Sequence, residues 1–188
     1  CKQHNSPILR TLSPGSIVLF GSSINGEFGL DTVFVISDVF MGYNSTNIQM
    51  LKDHELTSGQ YFYTSVLPMY EDTNSTETDE EYNCRIRDGI EYRLYTGVTY
   101  EEREKYGGVY SFVPCKTFDS ASESSYIFRQ PKIELPGIIS GSQTRGFKST
   151  EVSLRESVSM WNQVKDQVEN QKLNLGISFT NPPLRNRG

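Results

Sequence analysis

Asn25-Gly26, set between two β-rich runs, constrains this chain more than any other feature. Both central positions of a two-residue type I′ turn need positive φ, which Asn tolerates and Gly adopts freely. The turn predicts a β-hairpin over residues 14–37 and an all-β start. Pairing Ile24 with Glu27 and counting outward puts Phe20 opposite Asp31, Val18 opposite Val33 and Ile17 opposite Phe34. By strict alternation Leu30, Thr32 and Phe34 share one face, and Asp31, Val33 and Val35 the other. That register places the Asp31 carboxylate inside an apolar ladder, where it would have to be paired or protonated. Arg93, in Tyr92-Arg93-Leu94-Tyr95, is the expected partner.

A chain of 188 residues is expected to form one domain, with an irregular lead-in over 1–13, an acidic mobile loop over 70–83 and a tail over 181–188. It opens at Cys1 rather than Met, so upstream residues are expected in the full protein. The net charge of −5 is uneven: residues 1–128 carry 9 basic and 18 acidic side chains, residues 129–188 carry 9 and 5. The acidic first part opposes non-specific binding to a nucleic-acid backbone, which needs basic surface, but leaves room for a pocket that takes one base. Basic residues towards the C-terminus, Arg145, Lys148, Arg155 and Lys165 among them, are candidates for phosphate contacts. No apolar run is long enough to span a bilayer, so no membrane partner is expected. Three cysteines cannot all pair within one chain, which suggests a reducing, cytoplasmic setting.

Further along, 61–67 and 90–98 read as strands, and 85–87 as a second possible edge strand. Thr99 and Glu102 form a capping box for one or two helical turns over 99–105, ended by Gly107-Gly108. Residues 109–113 read as a strand stopped by Pro114, and Pro131 implies edge strands or a bend near 126–135. Ser153 and Glu156 form a second capping box, opening a helix over 154–172 whose inner face is Leu154, Val158, Trp161, Val164 and Val168. Trp161 is expected to anchor a core, and 173–180 to form a last strand. The expected fold class is α+β: a strongly bent, mostly antiparallel sheet or partial β-barrel with one long C-terminal helix packed on it.

No motif specifies catalysis. Cys1, His4, Cys84 and Cys115 would supply a zinc set, but Cys84 and Cys115 stand far apart in the chain and lack knuckle spacing, so no metal and no cofactor are expected. Gly21-Ser22-Ser23 is not a nucleophile elbow, and no phosphate loop is present. The remaining signal is aromatic residues interleaved with arginine on predicted strands, a pattern suited to holding a flipped or single-stranded base. The candidate ligand-binding residues are Asp31 and Arg93 for polar contacts, and Tyr95 and Tyr110 for stacking.

Leu12-Ser-Pro-Gly-Ser-Ile-Val-Leu-Phe-Gly21 resembles the strand that opens PUA-like β-barrels of the ASCH and EVE type, and is similar to bacterial and phage nucleotide-modification-associated domains. Ser16 stands where those families usually carry Asp. The resemblance covers residues 10–37 and implies a small barrel with a helix alongside that reads a modified or flipped base. The expected function is a nucleobase-, nucleotide- or modified-nucleic-acid-binding module of a bacterial or phage modification or defence system. Leu94-Tyr95-Thr96-Gly97 and Ser149-Thr150-Glu151 resemble strand motifs of ADP-ribosyltransferases, although the first lacks the Arg or His expected there. The alternatives are therefore a nucleotide-processing enzyme of that kind, a hydrolase, or a protein-interaction domain with no small-molecule site.

Overall fold

The chain reverses at Asn25 (φ 54°) and Gly26 (φ 81°), joining β1 (Ile17–Ile24) to the longer β2 (Glu27–Tyr43) as an antiparallel hairpin. Positive φ at both positions gives the turn the twist of the strands it joins. Replacing Gly26 with Ala puts a Cβ on a left-handed residue, and is expected to lower unfolding free energy by about 1 kcal/mol in urea titration. The computed structural model describes residues 7–43, 92–116, 130–139 and 151–177. The strands expected at 61–67 and 85–87 and the acidic loop at 70–83 lie outside those residues. Among the described residues the architecture is α+β, with one α-helix and two antiparallel sheets that do not close into a barrel. No helix among them is long and apolar enough to cross a membrane.

The chain divides into two compact units, Cys1–Ser37 with Gly97–Gly188, and Asp38–Thr96. In the first unit β2 is the spine. The hairpin register holds from Ile24↔Glu27 to Gly21↔Leu30, then slips so that Phe20 pairs with Thr32, Leu19 with Val33, Val18 with Phe34 and Ile17 with Val35. Asp31 is the extra residue of a β-bulge, which corrects the regular ladder expected from the turn. The bulge has a physical logic. With Asp31 inserted, Leu30, Val33 and Val35 all face inward, each fully buried, while Asp31 is exposed. A strict ladder would bury a carboxylate, at a cost of several kcal/mol unless paired. Gly21 sits at the slip, where a Cβ would fall 2.2 Å from the Gly29 carbonyl oxygen, so only glycine fits there.

The other edge of β2 meets two segments in turn within this unit. Leu30 N–H donates to the Pro131 carbonyl and Ile133 N–H to the Phe28 carbonyl, both at 2.9 Å. Further along, Val33 and Phe112 exchange both main-chain bonds at 2.9 Å, and Val98 N–H donates to the Val35 carbonyl at 2.7 Å. Lys132 makes an isolated antiparallel bridge to Gly29 at this edge, and Ile133 and Leu135 are buried. A two-stranded sheet pairs β4 (Val113–Cys115) with β5 (Asn174–Gly176). Pro114, expected to stop its strand, stands inside β4 opposite Leu175. Proline is tolerated there because, among the described residues, β4 pairs on one side only.

The helix α1 (Leu154–Asn170) opens on the full capping box: Ser153 Oγ accepts from Glu156 N–H, and the Glu156 carboxylate accepts from Ser153 N–H at 2.8 Å. The Ser153 hydroxyl, which donates to the Glu156 carboxylate at 2.7 Å, and then the Ser153 N–H hold the Glu156 pKa below its usual value. The stabilisation is therefore present above the unfolded carboxylate pKa and lost as pH falls through the lower folded one. Denaturation of Ser153→Ala beside the parent at pH 7 and pH 3 checks this: the gap between them is expected to shrink at pH 3. Trp161, Val164 and Val168 are buried against Leu30, Val33, Val35, Phe112 and Ile133, so the helix packs on the sheet face as expected. Leu154 departs from the expected inner face and is 55% exposed, because the buried stripe begins a turn later, at Val158.

On the outer side of 132–134, α1 takes the place of a neighbouring strand. Gln171 Oε1 accepts from Lys132 N–H at 3.0 Å and its Nε2 donates to the Lys132 carbonyl at 2.9 Å. Gln167 repeats this on Glu134, at 2.8 and 3.0 Å. Four residues of helix rise about 6 Å and two residues of strand about 6.6 Å, so the carboxamides fall in step with alternate peptide groups.

The second unit contributes the outer end of β2 and β3 (Tyr92–Gly97) up to Thr96, where Asp38 N–H donates to Thr96 Oγ1 at 3.2 Å. The sheet order is β1-β2-β3, so among the described residues β3 is an edge strand, as its alternation suggested.

Candidate functional site

Aromatic rings gather where residues 99–112 pass over α1. Thr99 and Glu102 cap the turn as expected, with Glu102 N–H donating to Thr99 Oγ1 at 3.3 Å. The segment then continues as a single 3-10 turn over Arg103–Tyr106, shorter than the predicted helix, because Gly107 takes a left-handed conformation (φ 73°) and ends it. Tyr100 and Arg103, three apart in the turn, share a face. The Arg103 guanidinium lies 3.8 Å from the Tyr100 ring centre. The Tyr100 ring meets Tyr110 edge-on, with centres 5.0 Å apart.

Tyr110 packs in turn on Trp161 at 5.0 Å, and Phe112 meets Trp161 edge-on at 5.8 Å. Trp161 Nε1 donates to the Tyr110 carbonyl at 2.9 Å, which fixes the segment before β4 to the helix and makes Trp161 the expected core anchor. The row grades from buried Trp161 through half-buried Tyr110 to exposed Tyr100. Burial raises the Tyr110 pKa, and Tyr100 and Glu169 add to the rise, against smaller downward effects of Lys165 and Arg103. The phenol is therefore a protonated donor at neutral pH.

The four residues expected to bind ligand divide two and two between the units: Asp31 and Tyr110 in the first, Arg93 and Tyr95 in the second. Asp31 is exposed and accepts a hydrogen bond from Gln130 Nε2. This overturns the expectation of a carboxylate facing the core with Val33 and Val35. Asp31 and Tyr110 share no partner among the described contacts. Arg93 and Tyr95 are neighbours on β3: burial raises the Tyr95 pKa, and the Arg93 charge lowers it by less. Cys115 is a free, half-buried thiol, whereas Cys1, His4, Cys84, Ser149 and Thr150 lie outside the described residues. Tyr100, Arg103 and Gln130 were missed by sequence reasoning. The three-residue spacing of Tyr100 and Arg103 inside a capped turn was the available signal for the first two, and Gln130 has none.

A separate shallow cleft of about 230 Å³ lies beside the hairpin turn, lined by Phe28, Leu135 and Ile139 among others. Glu27 and Lys132, also in its wall, form an exposed ion pair. None of the four expected residues lines this cleft. No family model, curated protein or solved structure matches this chain.

Proposed function

We propose that this chain is a binding module for a nucleobase-bearing ligand, serving a bacterial or phage nucleic-acid modification or defence system in the cytoplasm. In this reading the antiparallel strands curve into a partial, PUA-like barrel and α1 covers one side. The observation that supports it is the corner made by Tyr100 and Tyr110, with the Arg103 guanidinium over the Tyr100 ring. A planar guanidinium and an exposed phenol ring, here that of Tyr100, are groups on which bases stack, at about 1–3 kcal/mol per base. The protonated Tyr110 hydroxyl adds a donor for a base edge.

Thermal-shift and calorimetric titration against nucleosides, nucleotides and modified oligonucleotides tests the proposal. Binding at micromolar Kd or tighter is expected for a member of that panel. Tyr100→Ala removes a ring that is 40% exposed, so the fold should survive. Affinity should fall roughly 5- to 100-fold with the loss of one stacking surface. A panel that leaves the melting temperature unmoved defeats the reading.

A further inference from the structure

The geometry points to a ligand that presents an uncharged or cationic flat base to the Tyr100–Tyr110 corner, with no phosphate at the contact. This rests on the nucleobase reading and sets its ligand class. The two stretches that carry and flank the corner, 99–105 and 165–169, hold five carboxylates against three cations. The two cations that lower the Tyr110 pKa, Lys165 and Arg103, each also face a carboxylate. Lys165 Nζ sits 2.8 Å from Asp166 and 2.9 Å from Glu169, and Arg103 Nε lies 3.4 Å from Glu104. Arg103 also donates to the Tyr100 carbonyl while its plane covers the Tyr100 ring. A phosphate brought to Tyr110 would meet Glu169 and a lysine already shared between two carboxylates, in a stretch where carboxylates outnumber cations. Repulsion from those carboxylates would oppose every added phosphate charge, and most strongly at low salt. A bare base needs only the rings, the guanidinium plane and the phenol donor.

The test is paired titration of each nucleoside with its 5′-monophosphate and 5′-triphosphate at 20 mM and 300 mM salt. The nucleoside is expected to bind at least tenfold tighter than its triphosphate at 20 mM, with the gap narrowing at 300 mM. Glu169→Gln releases one partner of Lys165, and should raise triphosphate affinity several-fold while leaving the nucleoside within twofold. A triphosphate that binds as tightly as its nucleoside at low salt overturns this inference and leaves the nucleobase reading standing. A panel in which neither form binds overturns both. Binding by single-stranded oligonucleotides that strengthens as salt falls would show a backbone contact, and would also overturn it.

Discussion

Trp161→Ala is expected to remove about 3–5 kcal/mol of stability, the largest effect of any single substitution considered. Two losses add. The indole is 4% exposed and touches the rings of Tyr110 and Phe112, so truncation leaves a cavity under the sheet. It also leaves the Tyr110 carbonyl without its donor. That loss costs about 1–3 kcal/mol when the group stays dry. Domains are stable by only about 5–15 kcal/mol, so the variant should sit close to its unfolding threshold at physiological temperature. Trp161→Phe keeps a ring in place and isolates the lost hydrogen bond and volume; it should recover half or more of the deficit. Urea titration followed by far-UV circular dichroism is the right measurement, because Trp161 is the chain's one tryptophan and its fluorescence disappears with it. A loss below about 1 kcal/mol for Trp161→Ala, no more than an average substitution costs, would mean that the helix is not anchored through this residue.

Gln167→Ala with Gln171→Ala is the second. Four hydrogen bonds join these two carboxamides to the main chain of Lys132 and Glu134. At roughly 0.5–1.5 kcal/mol net for each, and with water able to reach the exposed positions, the pair should cost about 2–4 kcal/mol. The same substitution should raise amide exchange at Lys132 and Glu134 more than at Val33, whose N–H is held by Phe112 instead. Glu at both positions provides a sharper comparison. A carboxylate still accepts from the peptide N–H but turns an oxygen toward the peptide carbonyl, so the double Glu variant should be no more stable than the double Ala variant at pH 7. Suppose instead that the double Ala variant loses less than about 0.5 kcal/mol, the range of an ordinary surface substitution, and that exchange at 132 and 134 is unchanged. The clamp then contributes nothing, and the edge of β2 alone holds that segment.

These two expectations bear on the functional reading in different ways. Trp161 supports the segment that carries Tyr110, so its loss should abolish ligand binding along with stability. The glutamine clamp acts on 132–134, beside the shallow cleft and away from the aromatic corner. Its loss should therefore spare binding to whatever fraction remains folded.

Features set by near neighbours in the chain were legible from the residues alone. The Asn25-Gly26 turn, both capping boxes and the stripe of Val158, Trp161, Val164 and Val168 depend on backbone conformations or on spacings of two to four residues, and all appear in the structure. Helix and strand lengths were less legible. The turn after Thr99 stays 3-10, and β2 runs past the expected end of the hairpin at residue 37, to Tyr43. The site was least legible of all. Tyr110 could be named from composition, but its partners Tyr100 and Trp161 come from a turn and a distant helix.

What the residues determined by themselves is where the chain turns, where its helix starts and which helix face is apolar, because these follow from local φ/ψ preference and periodicity. What only the tertiary structure decided is the register beyond Gly21. The turn proposes a strict ladder, and the core refuses it: burying Leu30, Val33 and Val35 together requires one residue to be expelled, and expelling Asp31 avoids a buried carboxylate. That choice weighs a long-range burial energy against a local pairing rule, and no window of sequence contains both terms.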